Sequence, residues 1–221
     1  MEHFGLTLKK SKYSFHINKE EFAPISTKPS LRMFDGLAKR NAYTDSTGTE
    51  YRKEWCEEYR KLCLQNYDLN MKYFHSLDKE SFNDALNTYL KTNTGFCEVH
   101  DLKEYEDVSG YYMMVLDEYK QVYIGKTDNI CRRIRQHWTK TKSLDRTLAP
   151  MYAVNKSVFS IDFFRALDTT RIYVWKRDLG IQVERDLIAS FPGEYQTNRI
   201  GGDIETLIGA LATRNTRDLN K

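Results

Sequence analysis

Gly110-Tyr111-Tyr112-Met113-Met114-Val115-Leu116-Asp117-Glu118-Tyr119-Lys120-Gln121-Val122-Tyr123-Ile124-Gly125 is the stretch on which the reading of this chain turns. Its first seven residues form a strand-like run of aromatic and aliphatic side chains. Asp117 to Lys120 make a polar turn, and Gln121 to Gly125 return as a second strand. A hairpin of two short strands brings Tyr112 and Tyr123 together where they share a face of the sheet. Gly110 and Gly125 bracket it and permit close backbone approach.

Beyond the hairpin, Asp128 stands at an N-cap position before Ile130, Ile134 and Trp138, which recur on one helical face. Arg133 and His137, four residues apart, share another face. Arg132, Arg135, Lys140, Lys142 and Arg146 surround them, against only Asp128 and Asp145, so the basic charge is local. Ile161–Leu167 and Arg171–Trp175 read as strands, the second as sheet packing with basic ends. Asp178 is placed to cap a helix carrying Leu179, Val183, Leu187, Ile188 and Phe191, which Pro192-Gly193 stops. That helix offers Glu184, a hard oxygen donor of the kind Mg²⁺ prefers. Glu194 is a rival carboxylate in a loop. A short helix near Ile204–Leu211 precedes a polar tail.

Upstream, Tyr13–Ile17 alternates like a short strand and Leu31–Arg40 has the pattern of a short helix. Tyr43–Gly48 is turn-rich. Thr49 then reads as the cap of a helix marked by Tyr51, Trp55, Tyr59, Leu62 and Cys63. Asp78 caps a clearer one, with Phe82, Ala85, Leu86, Tyr89 and Leu90 along one face. Trp55, Tyr59, Tyr67, Tyr73 and Phe74 read as exposed aromatics among charges. The expected division is a mainly helical region over 1–105, a mixed domain over 106–203, and a C-terminal helix and tail over 204–221.

The chain has 221 residues, 40% hydrophobic and 29% charged, with a net charge of +3, which suits a globular protein and not a polycation. No apolar run approaches the length of a membrane span, and the first residues lack the pattern of a signal peptide. Cys56, Cys63, Cys97 and Cys131 show neither CxxC nor zinc spacing, so reduced core cysteines and a cytoplasmic setting are expected.

Gly110-Tyr111-Tyr112 with Tyr123-Ile124-Gly125 resembles the signature of the GIY-YIG nucleases, with tyrosine replacing isoleucine at 111. The run Gly125 to His137 is similar to that family's glycine, polar cap and arginine/histidine helix. Glu184-Arg185-Asp186-Leu187-Ile188 resembles its metal-glutamate stretch, and Asn198 falls on its late asparagine. Singly, each residue has a dull explanation as packed aromatic, solvated helix face or turn; their joint order over about ninety residues carries the resemblance. It implies an α+β fold in which a small three-stranded antiparallel sheet is flanked by helices.

The implied activity is metal-dependent endonucleolytic cleavage of double-stranded DNA, of restriction, mobile-element or antibacterial type. The alternatives are a structure-specific repair nuclease and an inactive DNA-binding module. Glu184 would hold one Mg²⁺, for which Mn²⁺ substitutes. Tyr112 would stand near the attacking water, with Tyr123 hydrogen-bonded in the same network and His137 tuning the tyrosine or shuttling a proton. Arg133 would stabilise charge on the phosphate, and Asn198 would hold the site in shape. Lys126, Arg132, Arg135, Lys140 and Lys142 would meet the DNA backbone. A tyrosine base at neutral pH requires either a lowered pKa, which Arg133 and the metal favour, or a proton relay. The first 105 residues would recognise the target; packing on the nuclease core or forming a homodimer are the other roles open to them.

Overall fold

Alternation along Gly110–Leu116 explains how the chain can bury seven consecutive residues. Tyr112, Met114 and Leu116 point into one hydrophobic core while Tyr111, Met113 and Val115 point into another, and every residue of the strand is buried. A continuous apolar run is the mark of a strand covered on both faces. The computed structural model describes residues 1–9, 13–30, 43–148, 153–180, 182–201 and 215–220.

Within these residues the fold is mixed α+β. A small hairpin, β1 (Glu2–His3) and β2 (Leu6–Thr7), precedes helices α1 (Lys53–Ser76) and α2 (Lys79–Thr92). Then come β3 (Cys97–Glu98), β4 (Gly110–Leu116), β5 (Gln121–Thr127), helix α3 (Ile130–Thr139), β6 (Arg171–Trp175) and helix α4 (Val183–Ala189). The main sheet is antiparallel with strand order β3-β6-β4-β5. It has four strands where three were expected, because the two-residue β3 pairs with the outer side of β6.

Helices α1 and α3 cover the Tyr112 face, through Tyr59, Cys63 and Phe74 and through Ile130, Ile134 and Trp138. Helices α2 and α4 cover the Tyr111 face, through Phe82, Leu86 and Tyr89 and through Leu187 and Ile188. Both cores therefore contain side chains from either side of residue 105. Tyr59, Tyr67 and Phe74, expected on the surface, are buried. They lie on the face of α1 that also carries Cys56, Cys63, Asn66 and Asn70, at the three- and four-residue spacing of one helical stripe.

Several local expectations change. Thr49 does not cap α1; its backbone N–H donates to Asp45 within a turn, and α1 starts at Lys53 after an extended Arg52. The cap of α3 is Asn129 instead of Asp128: its side chain accepts from Arg132 N at 2.8 Å and donates to Asp107. Helix α4 starts at Val183, so Asp178 is not its cap. Asp78 does cap α2, accepting from Ser81 N. Neither Tyr13–Ile17 nor Ile161–Leu167 is a strand. Ser160 and Asp168 accept hydrogen bonds from the backbone N–H groups of Asp162 and Arg165, local bonds that compete with a ladder, and Asp168 also accepts from the distant Ile17 N. Residues Ile161–Phe163 and Ala166–Asp168 form 3₁₀ turns. Cys56, Cys63 and Cys131 are free and buried, but Cys97 is exposed on β3. In the C-terminal tail, Leu219 is buried and the Arg217 guanidinium donates to Gln121 and to carbonyls at Gly193 and Gln196, so that part is docked. The helices expected at Leu31–Arg40 and Ile204–Leu211 lie outside the described residues. No described helix is long and apolar enough to cross a membrane.

Candidate functional site

The β4–β5 register sets Tyr112 opposite Gly125 and Met114 opposite Tyr123, so both tyrosines lie on the α3 side of the sheet. Their ring centroids are 6.1 Å apart. A Cβ on Gly125 would stand 2.6 Å from the Tyr112 hydroxyl, so only glycine lets that ring lie across the neighbouring strand. Gly110 has a φ of +153°, and a Cβ there would collide with the Trp175 carbonyl of β6. Each glycine thus permits a close approach, as expected.

Helix α3 places His137 above the tyrosines, 5.0 Å from the Tyr123 ring centroid, and Nε2 of the imidazole lies 2.8 Å from the Tyr112 hydroxyl. Its other nitrogen, Nδ1, is 2.7 Å from Asp162 Oδ1. The second Asp162 oxygen accepts from Lys142 Nζ at 3.1 Å, and Lys142 also donates to Ser160. A continuous chain therefore runs Tyr112–His137–Asp162–Lys142. Asp162 sits in the 3₁₀ turn between buried Ile161 and Phe163. The preceding loop is held by α1: Asn66 and Asn70 donate to Val154 and Ser157 carbonyls, and Asn70 accepts from Phe159 N.

Tyr123, Arg133, His137, Lys142, Asp162 and Glu184 line one open cleft of about 280 Å³, together with Asn198 and Arg199. No family model, curated protein or solved structure matches the chain. The chemistry of the cleft therefore has to be read from its own side chains. Three cations and two carboxylates converge there, the former suited to a phosphodiester. Among the described residues no group of three His, Cys, Asp or Glu side chains gathers as a complete metal cage. The half-buried Glu184 carboxylate beside open volume nevertheless suits a hard cation that keeps water and takes phosphate oxygens as its remaining ligands.

Tyr112 has no exposed surface and lies behind Tyr123 and His137, so Tyr123 is the tyrosine that faces the cleft. Burial pushes the Tyr112 hydroxyl well above its ordinary pKa; Tyr123 adds to this and Arg133 opposes it without offsetting it. Tyr123 is pushed up to about 12, chiefly by burial, with Arg133 pulling down and Glu184 and Asp162 pushing up. Of the two routes open to a tyrosine base, these surroundings favour the relay. Burial also lowers His137, against the pull of Asp162, and so keeps the imidazole neutral. Burial would raise Asp162, but hydrogen bonds from His137 and the Lys142 charge outweigh it and hold the carboxyl below the usual range.

The other expected DNA contacts separate from the cleft. Lys126 faces Tyr111 across the ladder, on the opposite side of the sheet from Tyr123. Arg132 is exposed and paired with Asp128. Arg135 and Lys140 are exposed on and just beyond α3, and neither lines the cleft. Lys142 does line it but is engaged with Asp162. Glu194 is exposed in a 3₁₀ turn away from it. Asp162 and Arg199 are charged cleft residues with no role assigned from the sequence. Arg199 adjoins Asn198, and its guanidinium binds carbonyls of Arg146, Thr147 and Val158. Asp162 stands in a segment read as a strand, where no spacing marks it.

Asn198 clasps the outer edge of β5. It accepts from Ile124 N at 3.0 Å and donates to Ile124 O at 2.7 Å, and Thr197 N donates to Val122 O. An open sheet edge needs such a cover. Asn198→Ala is expected to destabilise the protein by about 2 kcal/mol or more, since each orphaned buried backbone group costs ~1–3 kcal/mol. Asn198→Asp, which keeps the acceptor but turns an anionic oxygen toward the Ile124 carbonyl, should cost at least as much. Urea unfolding checks both, and equal stability of the alanine variant and wild type would refute the clasp.

The lowered His137 pKa also sets a pH dependence. In the unfolded chain the imidazole takes a proton as pH falls through about 6.5, whereas the folded protein resists until lower pH. Stability should therefore fall as pH drops below about 6.5, by up to ~1.4 kcal/mol per pH unit per such group. His3, also lowered chiefly by burial, contributes in the same direction. Unfolding measured at pH 7.5 and 5.0 should show the loss, and His137→Gln should reduce it; an unchanged loss would contradict a neutral buried His137.

Proposed function

We propose that this protein is a divalent-metal-dependent DNA endonuclease built on a GIY-YIG domain. What supports the reading is the convergence of Tyr123, Arg133, His137 and Glu184 from three separate elements onto one cleft, with Tyr112 hydrogen-bonded behind it. Residues 106–203 form the nuclease unit in this reading. Glu184 would hold Mg²⁺ or Mn²⁺, and the bound ion would supply Lewis acidity and charge neutralisation at the scissile phosphate.

The protein's own groups do the rest. Arg133, half-buried in the cleft wall, places a guanidinium where charge grows on the phosphate. Tyr123 orients the attacking water from the cleft, and Tyr112 connects its hydroxyl network to His137. Neutral His137 accepts a proton. Asn198 keeps β5, and with it Tyr123, in register. Because Glu184 shares the cleft with Tyr123 and Arg133, an active site is favoured over a retired binding module. Double-stranded DNA is the substrate that the family resemblance implies, and Arg133 in the open cleft suits its backbone phosphate.

The test is incubation of the full-length protein with supercoiled plasmid, linear duplex and branched DNA in Mg²⁺ or Mn²⁺, with the cut ends sequenced from a mixed library. Metal-dependent cleavage of duplex is expected. Cleavage confined to branched substrates would mark a structure-specific repair enzyme, and salt-dependent binding with every substrate left intact would overturn the nuclease reading.

A further inference from the structure

The position of Asp162 carries a consequence for the proton path. An ionised carboxylate can only accept hydrogen bonds, so His137 Nδ1, 2.7 Å from Asp162 Oδ1, must carry the proton of that bond. In a neutral imidazole the other nitrogen is then bare. Nε2 accordingly accepts, and the Tyr112 hydroxyl 2.8 Å away must donate to it. We propose that Asp162 is a positioning residue of the nuclease, holding His137 in the tautomer whose bare Nε2 takes the hydroxyl proton of Tyr112. This assignment rests on the nuclease reading above.

The step balances, and on the protein it moves protons alone. As water attacks phosphorus and the P–O bond to the leaving sugar oxygen breaks, the tyrosine hydroxyls take up the water's proton while Tyr112 passes its own to Nε2, and the departing oxygen takes its proton from solvent. Only O–H and N–H bonds are exchanged on the protein. The imidazolium so formed is stabilised by the Asp162 carboxylate and returns its proton by the same route.

Lys142 gives Asp162 a fixed orientation. Its ammonium occupies the second carboxylate oxygen at 3.1 Å and is steadied by Ser160 Oγ at 3.1 Å. The turn that carries Asp162 is anchored by buried Ile161 and Phe163, and the loop before it by Asn66 and Asn70 of α1. The carboxylate is thus set by groups from α1, the loop after α3 and α3 itself.

The arrangement makes a specific forecast for Asp162→Asn. With the ammonium of Lys142 in place, the new amide must turn its carbonyl to Lys142 and its NH₂ to His137 Nδ1. Nδ1 is then forced to accept, the proton moves to Nε2, and Nε2–H faces Tyr112 with no capacity to take its proton. The kcat of the full-length D162N protein is expected to fall by about 10²–10⁴-fold, the range of a lost general base, with KM within about threefold of wild type. ¹⁵N shifts of the His137 ring should report the Nδ1–H tautomer in wild type and Nε2–H in D162N. In the double variant D162N/K142M the amide is free to turn its carbonyl to Nδ1–H, so the original tautomer and at least tenfold of kcat should return.

A purely structural role predicts otherwise: a lowered melting temperature with kcat intact and no recovery in the double variant. Either that pattern or an Nε2–H tautomer in the wild type would overturn the proposal. The wild-type ring measurement needs neither cleavage nor a folded variant. Absence of cleavage by the wild type would count against the nuclease reading, while the tautomer separately decides the relay.

Discussion

Under the proposed function, Glu184→Ala is expected to abolish metal-dependent cleavage, lowering kcat/KM by about 10³-fold or more, because the charge stabilisation that it would anchor belongs to the transition state. Glu184 stands at the second residue of α4, half-buried at the cleft wall, while the packing of that helix is carried by Leu187 and Ile188 on the sheet. The substitution should therefore leave the melting temperature within a few degrees of wild type, in keeping with the small cost of changes outside the core. Arg133→Ala and Tyr112→Phe should reduce cleavage strongly without abolishing DNA binding. Single-turnover cleavage with a melting curve for each variant makes the check. Full activity of Glu184→Ala would remove the metal site from this cleft.

Phe74→Ala is expected to destabilise the protein by about 3–5 kcal/mol, the range for truncating a buried phenylalanine. Its ring lies within 6.3 Å of those of Tyr119, Phe159 and Phe164, which belong to the β4–β5 turn and to the segment leading to β6. The Phe74 carbonyl, near the end of α1, also accepts from Lys120 Nζ at 2.7 Å, a cation placed where a helix end favours one. Lys120 itself holds a left-handed φ of +50° in the hairpin turn. A cavity at Phe74 should loosen α1 from the sheet and free the Asn66–Asn70 grip on the loop before Asp162. Urea unfolding should show one transition moved to lower denaturant, with activity lost in parallel. A separate early transition, or a loss below ~1 kcal/mol, would mean that α1 folds apart from the sheet.

The Phe74 expectation concerns the first hundred residues, for which packing on the core was one of the roles left open beside target recognition. Through α1 they support the wall of the cleft, and through α2 they cover the far face of the sheet. Tyr59, Tyr67 and Phe74 were expected on the surface because local composition there is highly charged. Which face of a charged helix is covered depends on what lies opposite, and for Tyr67 and Phe74 that is the segment before β6, with Phe22 and Tyr119 beside it.

Local patterning determined a good deal of this protein. The β4–β5 hairpin, α2 with its Asp78 cap, the shared face of Arg133 and His137, and the strand at Arg171–Trp175 all follow from side-chain period and turn chemistry, which act within a few residues. Gly110 and Gly125 were legible for the same reason, since each bracketed a strand pair. Tertiary structure alone decided which tyrosine faces the cleft, which basic residues reach it, and that Asp162 completes a chain from Tyr112 to Lys142. Lys126 and Lys142 look alike as basic residues near the motif, yet strand parity sends one to the far face and the half-buried Asp162 carboxylate engages the other. Asp162 had no local mark because its partners, His137 and Lys142, lie 25 and 20 residues away and meet it only once α3 and the segment before β6 pack on the same side of the sheet.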